Sequence, residues 1–308
     1  SYLGTGTYLE EPGIAIGRLA ARVPQQVTEY LQKVQEFEAL PNEFWMKKAL
    51  HFSGGTAGAE LLQIRAFLDS YKYILEDTLF GGNVQTFQKT SSQPFQVTQV
   101  DSITSLINTG VQLITFFAHG SAVGFDVSID HPSLFNNDNG RYPVIVANSC
   151  KAGDIFQQEG IPPSISEQWV LEPDGGSLAF LSTTGLGSKF YLNSYSTNFY
   201  RSISHLEYNN TLGSQIKRAV RENAQPFNGI TQLHNLEYTL HGDPGINITK
   251  RPLPDLMVNQ QSIWFEPEEI TTEMQEFEMN IVIANLGAAF TDTFLIEISR
   301  QLPTGQID

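Results

Sequence analysis

Val111-Gln112-Leu113-Ile114-Thr115-Phe116-Phe117-Ala118-His119-Gly120 is an almost unbroken apolar run, rich in β-forming residues, that stops at a histidine and a glycine. A strand with one wet face alternates apolar and polar residues. A strand covered on both faces is apolar at successive positions. Two more runs share that pattern. Pro143-Val144-Ile145-Val146-Ala147 stops at Asn148-Ser149-Cys150, and Ser177-Leu178-Ala179-Phe180-Leu181 stops at Ser182-Thr183-Thr184-Gly185. Such strands belong to mostly parallel sheets with helices on both faces, so an α/β layer structure is expected.

The flanking chain fits. Pro24 opens a segment with Val27, Tyr30, Leu31, Val34 and Phe37 apolar at helical spacing, after a short apolar run Gly13-Ile14-Ala15-Ile16-Gly17 that reads as a strand. Ala49-Leu50-His51-Phe52-Ser53 is a strand ended by Gly54-Gly55, and a long helix is expected from about Ala57 to Leu75. Asn83 to Lys89 alternates like a strand, and Asp101 starts a short helix through Ile107. Further helices are expected at about 164–171, 192–203 and 211–223. Active sites of such sheets lie beyond the carboxyl ends of the strands, which is where His119 and Cys150 fall.

Composition shifts at Lys250-Arg251-Pro252-Leu253-Pro254, which reads as a linker. The sequence after it alternates at Ile263-Trp264-Phe265, Phe277 to Ile283 and Phe294 to Ile298, with a turn at Asn285-Leu286-Gly287. The expected domains are therefore 1–251, the α/β unit, and 252–308, the start of an Ig-like β-sandwich. The early stop and the start at Ser1 suggest a piece of a longer protein, truncated at its N-terminal side.

The chain has 308 residues, 41% hydrophobic and 17% charged, enough apolar material for a sizeable core. A net charge of −15 without a basic cluster argues against a nucleic-acid partner. No run approaches the ~18 apolar residues of a membrane span. There is a single cysteine, so no intrachain disulfide is possible and Cys150 is either an inert core residue or a reactive thiol.

The residues around it favour chemistry. A thiol is a nucleophile as thiolate, and an imidazole beside it promotes ionisation and later protonates the leaving amine. Two neighbouring parallel strands ending in His119 and Cys150 would place the pair side by side. Gly120 lets a backbone N–H approach a developing oxyanion, and with the Cys150 N–H it forms the expected oxyanion hole. The bland alternative is a core cysteine and a surface-loop histidine.

At these residues the chain resembles the gingipain-type cysteine peptidases of the caspase–legumain–gingipain superfamily. Phe116-Phe117-Ala118-His119-Gly120-Ser121 resembles the family's histidine motif, and Val144 to Phe156, containing Asn148-Ser149-Cys150-Lys151-Ala152-Gly153-Asp154, its nucleophile motif. Ile14-Ala15-Ile16-Gly17-Arg18, Ser166-Glu167-Gln168-Trp169, Gly176 to Thr184 and Leu240-His241-Gly242-Asp243-Pro244 resemble supporting segments, so the likeness runs over about residues 12–250. It implies a caspase-like sheet and attack on a peptide bond through a thioester, resolved by water or by an amine. It also implies Glu60 as the acid orienting His119, the other reading of Glu60 being a favourable acid in a helix's first turn. Ser182, Thr183, Thr184 and Gly185 are implied as substrate-binding. The tryptophan that arginine-specific members carry in this stretch is absent from Thr184-Gly185-Leu186-Gly187-Ser188-Lys189, so arginine specificity is not carried over.

The tail sharpens the likeness to sortase-like members of Bacteroidetes type IX secretion, which remove C-terminal sorting domains from cargo. That implies a polypeptide substrate, secreted cargo and other secretion components as partners, and a location outside the cytoplasm, at the outer membrane or secreted. No cofactor is expected. Asn136-Asn137-Asp138-Asn139-Gly140 offers oxygens to calcium but lacks EF-hand spacing, and such clusters are ordinary turns. His51, His131, His205, His234 and His241 have no zinc spacing and read as structural. Gly54-Gly55-Thr56-Ala57-Gly58 lacks the P-loop lysine and a full dinucleotide fingerprint. A G-x-S-x-G serine hydrolase motif is absent. The competing function is an inactive secretion or adhesion module that keeps the fold and acts by binding.

Overall fold

The apolar runs form adjacent strands. In a computed structural model that describes residues 11–56, 58–89, 96–97, 100–128, 131–156, 162–225, 228–271, 273–301 and 304–307, one six-stranded sheet carries the fold. Its strands are β1 (Lys48–Ser53), β2 (Asn83–Gln88), β3 (Leu113–Phe117), β4 (Val144–Asn148), β5 (Ala179–Thr183) and β6 (Tyr238–Gly242). The spatial order is β6-β5-β4-β3-β1-β2, all parallel except β6, which runs antiparallel to β5. Every residue of β3, β4 and β5 is buried, as their unbroken apolar character requires.

The helices are α1 (Pro24–Ala39), α2 (Gly58–Glu76), α3 (Val100–Thr109), α4 (Ile165–Leu171), α5 (Lys189–Arg201), α6 (Leu212–Asn223) and α7 (Gly229–Glu237). Successive side chains of a strand point to opposite faces, and the contacts follow that rule. His51 of β1 and Thr115 of β3 meet Tyr200 of α5, and the Tyr71 ring of α2 stacks on Tyr200. Their neighbours Phe52 and Phe116 stack with Phe87 and Phe125 on the other face. The same alternation along β6 turns Tyr238 onto Tyr195 of α5 and His241 toward α4. Burial pushes His51 down to about 3 and His241 down to about 4, so both rings are neutral core residues.

One buried cation ties α1 to α4. Lys33 Nζ donates to the carbonyls of Val170, Glu172, Gly175 and Ser177 at 3.0, 2.9, 2.9 and 3.1 Å. Burial pushes this ammonium down to about 7, opposed by the nearby carboxylates of Glu172, Asp174, Glu36 and Glu29. Two of these carbonyls, those of Val170 and Glu172, lie at the end of α4, where the last turn leaves carbonyls without intrahelical partners.

Three expectations need correction. Ile14 and Ile16 are 71% and 65% exposed and form no strand; the segment touches the sheet only through a bridge from Arg18 to His241 on β6. Helix α7 and strand β6 were not expected as such. Beyond residue 251 the structure shows two two-stranded ladders, Leu256–Met257 with Ala284–Asn285 and Ile263–Glu266 with Glu278–Ile281. The alternating stretch Phe294 to Ile298 pairs with no strand among the described residues, and Leu295 is 91% exposed. The two ladders dock on the first unit where Lys47 Nζ donates to Gly287 O at 2.6 Å and Ala289 N–H to Leu79 O at 2.8 Å.

Candidate active site

Strands β3 and β4 pair in parallel with Phe117 opposite Asn148, and the ladder runs one step further through Ala118 N–H to Asn148 O at 3.2 Å. His119 and Cys150 lie at equal distances past those partners, on strands separated by roughly 4.8 Å. The two chains leave the sheet in close contact. A Cβ on Gly120 would collide with the Ser149 hydroxyl, so only glycine allows this approach.

A third strand end supplies an acid. After β1 the chain turns through Gly54-Gly55-Thr56 into α2, whose first turn carries Glu60. Glu60 Oε2 lies 3.0 Å from His119 Nε2 and accepts the Thr56 N–H at 2.9 Å and the Thr56 hydroxyl at 3.0 Å. Partial burial pushes this carboxyl up, but the hydrogen bonds from Thr56 and His119 outweigh it and hold the group down at about 2. Glu60 is therefore ionised throughout the neutral range and fixes an Nε2–H on the imidazole, leaving Nδ1 as the free nitrogen.

Beneath that pair lies a buried ion pair that sequence reading missed. Asp126 Oδ2 accepts from Lys89 Nζ at 3.0 Å and from Gly55 N–H at 3.0 Å, and the Asp126 N–H donates to His119 O at 2.8 Å. The Lys89 side chain is fully buried and that of Asp126 nearly so. One residue thus joins the end of β2 and the turn leading to Glu60 through its carboxylate, and the loop carrying His119 through its backbone N–H. The double glycine was the only hint: a Cβ on Gly54 would strike Asp126 Oδ1 and Ala118 Cβ.

The cysteine loop is held from β5. Lys151 has a φ of 56°, a left-handed conformation that turns the chain sharply after Cys150. Its N–H donates to Gly185 O at 2.8 Å, and Gly153 N–H donates to Thr183 O at 3.0 Å. Ser182 and Thr183 are fully buried, and their hydroxyls donate to Ala147 O at 2.9 Å and Ser149 O at 2.7 Å. This corrects their expected role: they brace the cysteine loop and present nothing to a substrate. Thr184 and Gly185 are partly exposed, and Thr184 N–H is bound to Glu237 O at 3.0 Å. The sulfur itself rests against the next loop, accepting the Gly187 N–H at 3.4 Å and lying 3.8 Å from Gly187 O. No hydrogen bond joins Sγ to the imidazole among the described residues.

Two further histidines, His234 and His131, are braces. His234 Nε2 accepts the Ser188 N–H at 3.0 Å, holding the 184–188 loop, and His131 Nδ1 accepts the Ser133 N–H at 3.3 Å. No three His, Cys, Asp or Glu side chains converge as a metal site among the described residues. In the segment 136–140, Asn137 donates to Arg141 O at 3.2 Å and Gly176 O at 2.8 Å, and Asn139 and Gly140 take left-handed conformations.

A model of peptidase family C25 matches residues 3–249. Among solved structures, the arginine-specific cysteine proteinase gingipain R is similar with a TM-score of 0.66 at 14% identity, over 82% of this chain and 60% of its own. The complex of RgpB pro- and mature domains from Porphyromonas gingivalis gives 0.64 at 16% identity, over 83% and 62%. A further protease structure gives 0.61 at 16% identity, over 80% and 60%. The chain thus spans about three fifths of these relatives, and at such identities the likeness establishes the shared fold. No curated protein sequence matches the chain.

Proposed function

Since the chain belongs to peptidase family C25, we propose that it is a cysteine peptidase in which Cys150 is the nucleophile, His119 the base and Glu60 the residue that orients the base. The observation that supports this most is the in-register pairing of β3 and β4, which brings out the two motifs side by side with Glu60 already on the imidazole.

The steps follow from the geometry. With Nε2–H held by Glu60, Nδ1 accepts the thiol proton. The thiolate attacks the substrate carbonyl carbon, and the oxyanion forms near the Gly120 and Cys150 amides. The imidazolium then gives its proton to the departing amine, and the C–N bond breaks, leaving a thioester. Water, or an amine, loses a proton to Nδ1 and attacks the thioester, and the sulfur leaves as thiolate. Glu60, ionised at every working pH, stabilises the imidazolium between the two halves.

Within this reading the substrate is a polypeptide, and the setting is extracytoplasmic, in keeping with the likeness of the tail after Pro254 to sortase-like type IX members. Removal of C-terminal sorting domains from secreted cargo, at the outer membrane, is the specific role that this likeness favours. No described helix is long and apolar enough to cross a membrane. The discriminating experiment is incubation with an unfolded protein, with and without prior alkylation by iodoacetamide. Cleavage that disappears on alkylation is expected. Cleavage that survives it would leave Cys150 as a structural thiol and favour a different nucleophile.

A further inference from the structure

Resting on the peptidase reading, we infer that the exposed surface beside the sulfur takes an apolar side chain, and that Leu186 and Phe190 select it on the residue whose carbonyl is attacked. The loop after β5 is pinned to the nucleophile by the Gly187 N–H on Sγ, so its neighbour Leu186 stands at the edge of the reaction centre. Leu186 is 70% exposed, and Phe190, four residues on in the first turn of α5, is 57% exposed. Large apolar side chains open to water beside a nucleophile mark a surface meant to be covered.

Their surroundings extend the same surface into the core. The Phe190 ring packs edge-on against Phe67 of α2 at 6.3 Å between centroids, and Phe67 lies 5.4 Å from Phe117 at the end of β3. Phe67 is seven residues after Glu60, two turns along α2, and so on the same helix face. An apolar series thus runs from Phe117 at the end of the histidine strand across Phe67 of α2 to Phe190 at the start of α5.

The charges argue for the same occupant. Lys189 lies with Nζ 5.4 Å from the Phe190 ring centroid, a cation that disfavours an arginine or lysine side chain there. Glu60 is spent on His119 and Thr56. The other nearby carboxylate, Glu237, sits behind Gly185 on the α7 side, with Oε2 sealed from solvent and without a partner. A basic substrate residue would have to displace Gly185 to reach it.

Peptidyl acyloxymethyl ketones that differ only in the residue next to the warhead test this. The thiolate forms a C–S bond to the methylene carbon as the carboxylate leaves. Adducts on Cys150 are followed by mass spectrometry, giving a second-order rate for each probe. The leucine or phenylalanine probe should react about tenfold or more faster than the lysine or arginine probe, in line with the discrimination apolar pockets achieve. Leu186→Ala and Phe190→Ala should each shrink that ratio, and Leu186→Asp should shift it toward lysine. Equal rates, or faster reaction with the basic probes, would overturn the inference and point to Glu237. So would failure of every peptide probe while iodoacetamide alkylates Cys150 in a manner dependent on His119. Alkylation that ignores His119 would instead remove the peptidase reading beneath it.

Discussion

His119→Ala is expected to lower kcat/KM for peptide cleavage by about 10²- to 10⁴-fold, and Cys150→Ala by about 10³-fold or more. The two act on one proton and one bond, so the double variant should be no worse than Cys150→Ala alone. Glu60→Gln should cost less, because it keeps a hydrogen-bond acceptor near Nε2 but loses the charge that stabilises the imidazolium. The carboxyl is held near 2, so wild-type activity should show no acid limb from Glu60 above about pH 4; the variant should differ by a similar factor across the neutral range. Steady-state kinetics with one peptide substrate across pH 5–8 measures all three. Retention of wild-type kcat/KM in His119→Ala would remove the imidazole from the mechanism.

Lys89→Met is expected to destabilise the fold by about 3–5 kcal/mol, the usual consequence of leaving one member of a buried ion pair alone. The stranded charge is Asp126, and it cannot turn to water because its Oδ2 also holds the Gly55 N–H. Asp126→Asn should do comparable damage by stranding Lys89. The double variant Lys89→Met with Asp126→Asn should recover most of the loss, since two neutral groups of similar volume replace the pair. Urea unfolding of the four proteins gives the cycle. Single variants within about 1 kcal/mol of wild type would mean that water reaches the pair. The effect bears on the site as well as the fold, because Asp126 joins the turn before Glu60 to the backbone of His119.

The central strands of the sheet were legible because each is covered on both faces and therefore writes itself as a solid apolar run. The ends of those runs gave His119 and Cys150. Elements at the margin were harder. Strand β6 is only Tyr238–Gly242, and its His241 is a core residue that composition reads as polar. The apolar Ile14 and Ile16 imitate a strand, yet the chain there meets the sheet edge at a single bridge. The same limit explains the tail: alternation at Phe294 to Ile298 states a preference for strand, and a strand needs a partner.

The site divides in the same way. Cys150, His119 and Glu60 each stand next to a recognisable strand end or helix start. Lys89 and Asp126 left no signal beyond the double glycine that packs on Asp126, because a buried charge and an exposed one are the same letter and only the fold pairs them. Ser182 and Thr183 misled for the opposite reason: small hydroxyl residues at a strand end suit a binding loop, but here they donate to the carbonyls of Ala147 and Ser149. The grip of Gly187 on the sulfur depends on a loop conformation that no local pattern announces.

The rate of iodoacetamide alkylation at pH 6 tests the coupling of sulfur and imidazole most directly, since the chain has a single cysteine and every adduct reports on Cys150. An imidazolium nearby favours the thiolate, so the folded wild-type protein should react roughly tenfold or more faster than His119→Ala, with Glu60→Gln between them. Identical rates in the three proteins, or reaction only after unfolding, would contradict the account: the two strand ends would be neighbours in space without being partners in chemistry.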